Sequence, residues 1–259
     1  MSDLPTSNDT AALAEGLPFF AALACYVVAT GLSLMRLRGA ATLLRIGSAV
    51  HLGAMLHRGY VIAFFPLTNK MESFAAASLA VALVAGASWR DVRLYSAPLA
   101  ALAALALAAA LGFPLAPSFP PPLMRTIWYP LHVPLSFLAY ALWAAAAAAA
   151  LVWLRDREPV WLARVDRLAL QGFALWSLSM VCGGIWGVVA WGAYFIWDVK
   201  ILWSVILWFH YASFIHVRLT PSLEGHPWIR PALALLGFVW VLVAYVGTSF
   251  FFGKSSHAF

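Results

Sequence analysis

The 131–154 stretch, LHVPLSFLAYALWAAAAAAALVWL, carries no charged side chain from its first residue to its last. About 20 consecutive apolar residues are enough for one helix to cross the hydrocarbon core of a bilayer. The alanine run at 144–150 favours helix and lets a neighbouring helix approach closely. The stretch therefore predicts a helix that spans a membrane.

The same apolar character runs through the whole chain. Its 259 residues are 64% hydrophobic and 10% charged, with a mean hydropathy of +0.86, which excludes an ordinary soluble domain. We predict an all-α, polytopic membrane protein that forms a single domain over residues 1–259. About eight transmembrane helices are expected, at residues 17–37, 44–65, 72–89, 94–113, 131–154, 168–190, 200–218 and 231–252.

Basic side chains decide the predicted orientation. Eleven arginines fall in or beside the loops that follow the first, third, fifth and seventh spans, whereas the opposite side has only Lys70, Arg125, Lys200 and Lys254. Because basic residues are enriched on the cytoplasmic side, both termini are predicted to lie outside the plasma membrane. The amino terminus lacks the basic segment of a signal peptide, so we expect no cleavage. The net charge of +6 needs no nucleic acid to explain it.

The Trp-rich segment, residues 183–200 with the sequence GGIWGVVAWGAYFIWDVK, falls on the external face in this orientation. It is too aromatic for an ordinary loop and too rich in glycine for a tightly packed helix. An aromatic belt of a transporter or channel at the membrane interface is one explanation of such a segment.

Two histidines lie on the same predicted face as the Trp-rich segment. His132 stands at the outer mouth of the fifth span, and His257 follows the eighth. A large, flat macrocycle with a central iron requires an aromatic surface and two axial imidazoles, one on each side. The two histidines beside a Trp-rich surface therefore indicate heme. A b-type cytochrome that exchanges electrons with quinones is an alternative, because His210 and His216 share one span.

His51 and His216 lie towards the inner side of the membrane in this orientation. Ionisable residues inside spans are costly, so a function is the default hypothesis for them. A bis-histidine site in the inner leaflet is one possibility. Arg58, near the middle of the second span, is suited to pair with a heme propionate or another anion.

Other polar and sulfur groups receive structural interpretations. His210 faces a different side of its span from His216, and His226 lies in an inner loop where water reaches it. Cys25 and Cys182 are 157 residues apart with no CxxC motif, which excludes a zinc or thioredoxin-type site made by this chain alone. No nucleophile–base pair is evident, so no catalytic residue is predicted beyond the heme site.

The segment at 191–218, WGAYFIWDVKILWSVILWFHYASFIHVR, resembles the tryptophan-rich WWD signature of heme-handling membrane proteins. It is more closely similar to the CcsA/ResC component of the System II cytochrome c synthase. Three further segments match that family in order: FPLTNKMESF at 65–74, LHVPLSFLAYAL at 131–142 and GKSSHAF at 253–259. The resemblance covers the chain from about residue 51 to its end.

The resemblance implies that heme b is held on the external face for attachment to apocytochrome c. His132 and His257 would be the axial ligands of the iron. His216 would be one ligand of a transmembrane heme, with either His51 or a histidine of the membrane partner CcsB as the second. A separate thiol-reducing system would keep the CxxCH thiols reduced, and these thiols would add to the heme vinyl groups. The other implied cofactor-binding residues are Trp186, Trp191, Tyr194, Trp197 and Asp198.

Departures from the family pattern bear on the reaction. Val199 and Ile201 replace the Pro and Glu of the pattern DPKE, and Phe195 replaces a Trp. These changes keep the implied iron ligands but remove an acid beside the heme. They leave open a heme-delivery relative of the CcmC type that does not perform the attachment itself, although His216 distinguishes the chain from CcmC proteins.

Overall fold

The computed structural model of the chain describes the backbone of residues 7–250 and the side chains of residues 15–250. Within these residues the regular structure is helical, which confirms the all-α prediction. The chain divides into two compact units, one up to Pro122 and the other from Leu123 onward. The single functional domain expected from the sequence stays a prediction.

The first unit contains four helices among its described residues. They are α1 Ser7–Leu34, α2 Ala40–Ile62, α3 Lys70–Ala87 and α4 Arg93–Leu111. The turn between α3 and α4 confirms that residues 72–113 form two spans rather than one. In this turn Trp89 Nε1 donates to Asp91 Oδ1 at 2.8 Å. Small hydroxyl side chains join the helices, as where Ser78 Oγ donates to the carbonyl of Ala103 at 2.7 Å.

Seven helices of the described chain are long and apolar enough to cross a membrane. The second predicted span, α2, has sufficient length but is more polar than these seven, because it carries Arg45, His51, His57 and Arg58. The multi-pass prediction is therefore confirmed. The side of the membrane on which each terminus lies stays a prediction.

The second unit contains the helices that carry the Trp-rich segment. They are α5 Trp128–Asp156, α6 Pro159–Trp191, α7 Val199–Leu219 and α8 Ile229–Leu242. A π-helical turn, Val243–Gly247, continues α8 into a short helix, α9 Thr248–Phe250. Single 3-10 turns occupy Pro122–Met124 and Pro221–Leu223.

The start of α6 differs from the prediction, since the helix begins at Pro159 rather than at residue 168. Proline is well tolerated at the first position of a helix, where its missing N–H has no intrahelical partner. The added turns carry Asp166, whose carboxylate accepts from Arg230 Nη1 at 2.5 Å and lies 3.5 Å from Arg218 Nε. Because this charge is paired, the helix extends through polar sequence that the hydropathy pattern assigned to a loop.

The alanine run of α5 lies in the core of the second unit, where Ala144–Ala150 are all buried. Its small side chains let α6 pack along α5, as predicted. Beside the run, Trp143 stacks on Tyr211 of α7 with parallel rings 3.8 Å apart, and its Nε1 donates to the carbonyl of Ala169 in α6. This core holds α5, α6 and α7 together beneath the predicted site.

Candidate functional site

His132 and the Trp-rich segment meet at one end of the second unit. The ring of His132, in the second turn of α5, lies nearly parallel to that of Trp186 in α6. The ring centroids are 6.5 Å apart, and the planes differ by 16°. The fifth predicted span thus packs beside the Trp-rich segment. The second implied external ligand, His257, lies outside the described residues.

A backbone carbonyl fixes the proton of the His132 ring. Nδ1 of His132 lies 2.8 Å from the carbonyl oxygen of Ser179 in α6. Because a carbonyl oxygen only accepts, Nδ1 carries the proton, and Nε2 of the neutral ring carries the lone pair. Nε2 has no hydrogen-bond partner among the described residues. The half-buried ring thus presents the nitrogen state that iron ligation requires.

Gly183 of α6 makes room for the His132 ring. A Cβ at position 183 would lie 2.6 Å from Nδ1 and 2.7 Å from Cε1 of His132. These distances are well inside van der Waals contact. The first glycine of the Trp-rich segment is therefore explained by close packing against the predicted ligand.

The chain turns after α6 and exposes large aromatic side chains. Gly192 ends α6 with a φ of +74°, a left-handed conformation that glycine adopts at little cost. Asp198 caps the start of α7, where its carboxylate accepts from the Lys200 N–H at 2.8 Å. Between these two residues Tyr194 is 74% and Trp197 is 86% exposed.

We define the aromatic platform as Trp191, Tyr194 and Trp197. Phe195, which replaces a family Trp, packs edge-on against Trp197 with ring centroids 5.3 Å apart. Exposed aromatic groups of this size mark either a binding surface or the interface between membrane and water. Tyr194 and Trp197 are the exposed members of the platform, and exposed rings suit contact with a flat, apolar ligand.

Trp186 lies beneath the platform rather than on it. It is 2% exposed, and its Nε1 donates to the carbonyl of Leu123 at 2.8 Å. Its ring meets Trp191 edge-on, with centroids 4.8 Å apart. Direct contact between heme and Trp186, as the resemblance implies, does not fit a side chain this deeply buried. Trp186 instead supports Trp191 and the His132 ring.

His216 lies towards the other end of α7 from Asp198. The two residues are 18 positions apart, or about 27 Å along a helix that rises 1.5 Å per residue. Nδ1 of His216 donates to the carbonyl of Ala212 at 2.9 Å, so Nε2 again carries the lone pair. The ring is exposed, and Nε2 has no hydrogen-bond partner among the residues that the structure describes.

His210 has the opposite arrangement. Its Nε2 lies 2.8 Å from the carbonyl of Leu233 in α8, so Nε2 is the protonated donor that ties α7 to α8. This contact fits the structural role expected for His210 and leaves a b-type cytochrome without a second ligand in this span. His226 is exposed, which fits the expectation that it is solvated.

Arg58 is fully engaged inside the first unit, where it is 3% exposed. Its Nε donates to Glu72 Oε1 at 2.7 Å. Its Nη1 and Nη2 donate to the carbonyls of Leu115 and Ala116 at 2.7 and 3.0 Å. The expected pairing of Arg58 with a heme propionate therefore does not fit, because a buried carboxylate already occupies it. Arg58 holds the FPLTNKMESF segment in place.

His51 is 0% exposed in the first unit. Its Nδ1 lies 3.2 Å from the hydroxyl of Tyr26, and the ring of Phe19 meets it edge-on with centroids 5.5 Å apart. Its Nε2 is buried without a hydrogen-bond partner in the described chain. This packing leaves no open side of the ring for a macrocycle, so it does not support His51 as the second transmembrane ligand.

Three residues of these sites were not predicted to have a role: Glu72, Ser179 and Gly183. Glu72 lies in one of the quoted motifs, and Gly183 begins the Trp-rich segment. Ser179 precedes Gly183 by four residues, so helical spacing places both on the side of α6 that faces His132. That spacing was visible in the sequence. The sequence did not show that α5 is the helix that packs against this side of α6.

Comparison with known proteins identifies the family of this arrangement. A family model described as "Cytochrome C assembly protein" matches residues 50–253 of the chain. This range includes both His132 and His216 and the whole Trp-rich segment.

Curated relatives carry the name "Cytochrome c biogenesis protein CcsA". The protein from Guillardia theta is 42% identical over 89 residues, which are 34% of this chain and 28% of that protein. The protein from Gloeobacter violaceus is 42% identical over 85 residues, 32% of this chain and 24% of that protein. The protein from Prochlorococcus marinus is 29% identical over 166 residues, 50% of this chain and 52% of that protein. The chain thus spans about half or less of these relatives' length.

A solved structure shares the fold. The protein named "Cytochrome c Heme Lyase CcmF" superposes with a TM-score of 0.72 at 19% identity, over 95% of this chain and 50% of that chain. At this identity the likeness concerns the arrangement of helices alone.

Proposed function

The chain belongs to the cytochrome c assembly protein family, and from this premise we propose that it presents heme b to apocytochrome c on the external face of the plasma membrane. A role in cytochrome c biogenesis follows from the family itself. The proposal adds the ligand, the face of the membrane and the residues that hold the heme.

The state of two histidines carries the proposal. His132 and His216 each donate Nδ1–H to a backbone carbonyl and keep Nε2 without a partner among the described residues. His210 uses its Nε2 for packing. Iron ligation needs the first arrangement, in which one ring nitrogen is held and the other is open.

The external heme would lie between His132 and His257, on the aromatic platform. Stacking on broad aromatic faces suits a flat ligand, and the exposed faces of Tyr194 and Trp197 offer such contacts. Trp186 would act from below by fixing Trp191 and the His132 ring.

The second heme position would use His216 near the inner side of the membrane. The exposed ring lies on a face of α7 that also exposes Phe209 and Ile206, at 61% and 44%. Exposed apolar side chains beside an open imidazole are suited to contact another membrane protein. The second ligand of this heme is therefore assigned to a CcsB-type partner, because the packing of His51 does not support it.

Heme supplies the reactive vinyl groups when it is bound, and the protein supplies position and orientation. The CxxCH thiols of apocytochrome c must arrive reduced. The chain has no CxxC dithiol of its own, with Cys182 buried in α6 and Cys25 half-buried in α1. A separate thiol-reducing system is accordingly part of the proposal.

A second candidate function is heme delivery without covalent attachment. It is favoured by Val199 and Ile201, which begin α7 directly after Asp198 and place aliphatic side chains where the resemblance leads us to expect Pro and Glu. A delivery protein needs the aromatic platform and the iron ligands, but it does not need the family Glu that Ile201 replaces.

The test is cytochrome c maturation in cells that lack their own assembly factors, together with the CcsB-type partner and a CxxCH reporter. His132→Ala and His216→Ala are expected to reduce covalent heme in the reporter at least tenfold while the chain still inserts, and the solvated His226→Ala is the control. Unchanged maturation in both His132→Ala and His257→Ala would show that these histidines are not the axial ligands of the external heme. A wild-type chain that binds heme but yields no covalent product indicates delivery alone.

A further inference from the structure

A hydrogen-bond network joins α5 and α6 around His132. Its Nδ1 donates to the carbonyl of Ser179 at 2.8 Å and lies 3.0 Å from the Ser179 hydroxyl. The Ser179 hydroxyl donates to the carbonyl of His132 at 2.9 Å. The hydroxyl of Ser136 lies 2.6 Å from that of Ser179 and 3.0 Å from the same carbonyl. His132 and Ser179 thus each bond the other's backbone carbonyl, and Ser136 closes the network.

With the proton on Nδ1, every donor of the network has an acceptor. Nδ1–H points to the Ser179 carbonyl and Ser179 Oγ–H to the His132 carbonyl, while the single hydroxyl proton of Ser136 points to Ser179 Oγ or to the His132 carbonyl. The other neutral tautomer would place the Nδ1 lone pair 2.8 Å from a carbonyl oxygen that cannot donate. Ser136 is 7% and Ser179 is 0% exposed, so water does not readily replace these bonds.

We propose that Ser136 and Ser179 are positioning residues that hold His132 in the tautomer and orientation in which Nε2 meets the iron of the external heme. The inference rests on the proposed function, in which His132 is an axial ligand. The hydrogen bond from Nδ1–H to the carbonyl fixes the ring and makes Nε2 a stronger electron donor to the iron. The hydroxyls of Ser179 and Ser136 tie the backbone of His132 to α6 and so keep the Ser179 carbonyl at Nδ1. Through the position of this carbonyl they influence both the affinity for heme and the reduction potential of its iron.

A role limited to packing α5 against α6 would give a different result. Loss of a packing contact lowers the stability of the protein and leaves the potential of a bound heme unchanged. The network also acts as a unit, so removing its members together should cost little more than removing Ser179 alone.

The experiment titrates hemin into the purified, heme-depleted full chain in detergent. A His216→Ala background ensures that the site at His132 alone reports. Ser179→Ala and Ser136→Ala are compared with Ser177→Ala, which removes a hydroxyl of the same helix that accepts from Trp208 Nε1 at 3.0 Å. The readouts are the dissociation constant and the midpoint potential of the bound heme.

Ser179→Ala is expected to weaken hemin binding about tenfold or more and to shift the midpoint potential to a more positive value. Ser136→Ala should act in the same direction to a smaller extent, and the double variant should match Ser179→Ala. Ser177→Ala should match the parent. If Ser179→Ala does not fold, Ser136→Ala decides.

The inference is overturned if Ser179→Ala and Ser136→Ala bind hemin with the affinity and potential of Ser177→Ala. The parent with His132→Ala separates this result from a failure of the proposed function. If His132→Ala binds hemin as tightly as the parent, the ligand assignment itself is wrong. If His132→Ala loses hemin while the serine variants do not, the positioning role alone is wrong.

Discussion

Replacing Gly183 by alanine adds one methyl group against the predicted iron ligand. The new Cβ would lie 2.6 Å from Nδ1 of His132, so the ring must move by about 1 Å to reach an ordinary contact near 3.6 Å. The Nδ1 bond to the Ser179 carbonyl, now 2.8 Å, would lengthen to as much as about 3.8 Å, beyond hydrogen-bond range.

The expected effect on heme is larger than the effect on stability. Losing the hydrogen bond lowers the free energy of unfolding by about 1 kcal/mol. Alanine raises it by about 0.5–1 kcal/mol over glycine inside a helix, so the two effects nearly cancel. A shift of about 1 Å in a group that must meet a reacting centre reduces function by as much as about a hundredfold. Gly183→Ala should therefore fold normally and bind external heme between about 10- and 100-fold more weakly.

Gly184→Ala provides the matched control one residue along the same helix. A Cβ there would meet the carbonyl oxygen of Tyr194 at 3.8 Å, an ordinary contact. Both variants are titrated with hemin in a His216→Ala background, and their thermal unfolding is measured in the same detergent. Equal heme affinity in the Gly183 and Gly184 variants would mean that the His132 ring does not hold the iron from its present position.

Three other predictions concern the remaining polar groups. Arg58→Gln leaves Glu72 buried without its cation and should lower the free energy of unfolding by about 3–5 kcal/mol. Replacing both Arg58 and Glu72 by methionine should regain most of that loss. Denaturant unfolding measures these values, and an Arg58→Gln variant as stable as wild type would contradict the expected loss. Tyr211→Phe removes a buried hydroxyl that has no partner in the described chain, so thermal unfolding should show equal or slightly higher stability, by up to about 1 kcal/mol, and not a loss. In the complex with the CcsB-type partner, His216→Ala should deplete the copurified heme, whereas His210→Phe should keep the heme and lose stability; an unchanged amount of heme in His216→Ala would show that His216 is structural.

The sequence was a good guide to the helices and to the position of His132. Long apolar runs have few ways to satisfy their backbone in a membrane, so α5 and α7 were predicted within three residues at each end. The start of α6 was missed because hydropathy treats Asp166 as a loop residue. Its pairing with Arg230, 64 positions later, becomes visible only in the packed structure.

The same limit explains the errors at the site. The sequence alone does not distinguish the roles of Trp186, Trp191 and Trp197. In the structure, Trp186 is buried in α6, whereas the turn after Gly192 exposes Trp197. Arg58 was expected to bind an anion because an intramembrane cation needs a partner. That partner, Glu72, was already in the sequence, 14 residues away across the turn between α2 and α3.

The absorption spectrum of the purified full chain shows whether the protein holds heme through His132 and His216. Wild-type protein is expected to copurify with heme b that gives a low-spin, bis-histidine spectrum and a matching pyridine hemochrome. Replacing His132 by glycine and His216 by alanine together should abolish this spectrum, and added imidazole should restore the part that depends on His132. A wild-type chain without heme, or a double variant with the wild-type spectrum, would show that these histidines do not hold heme.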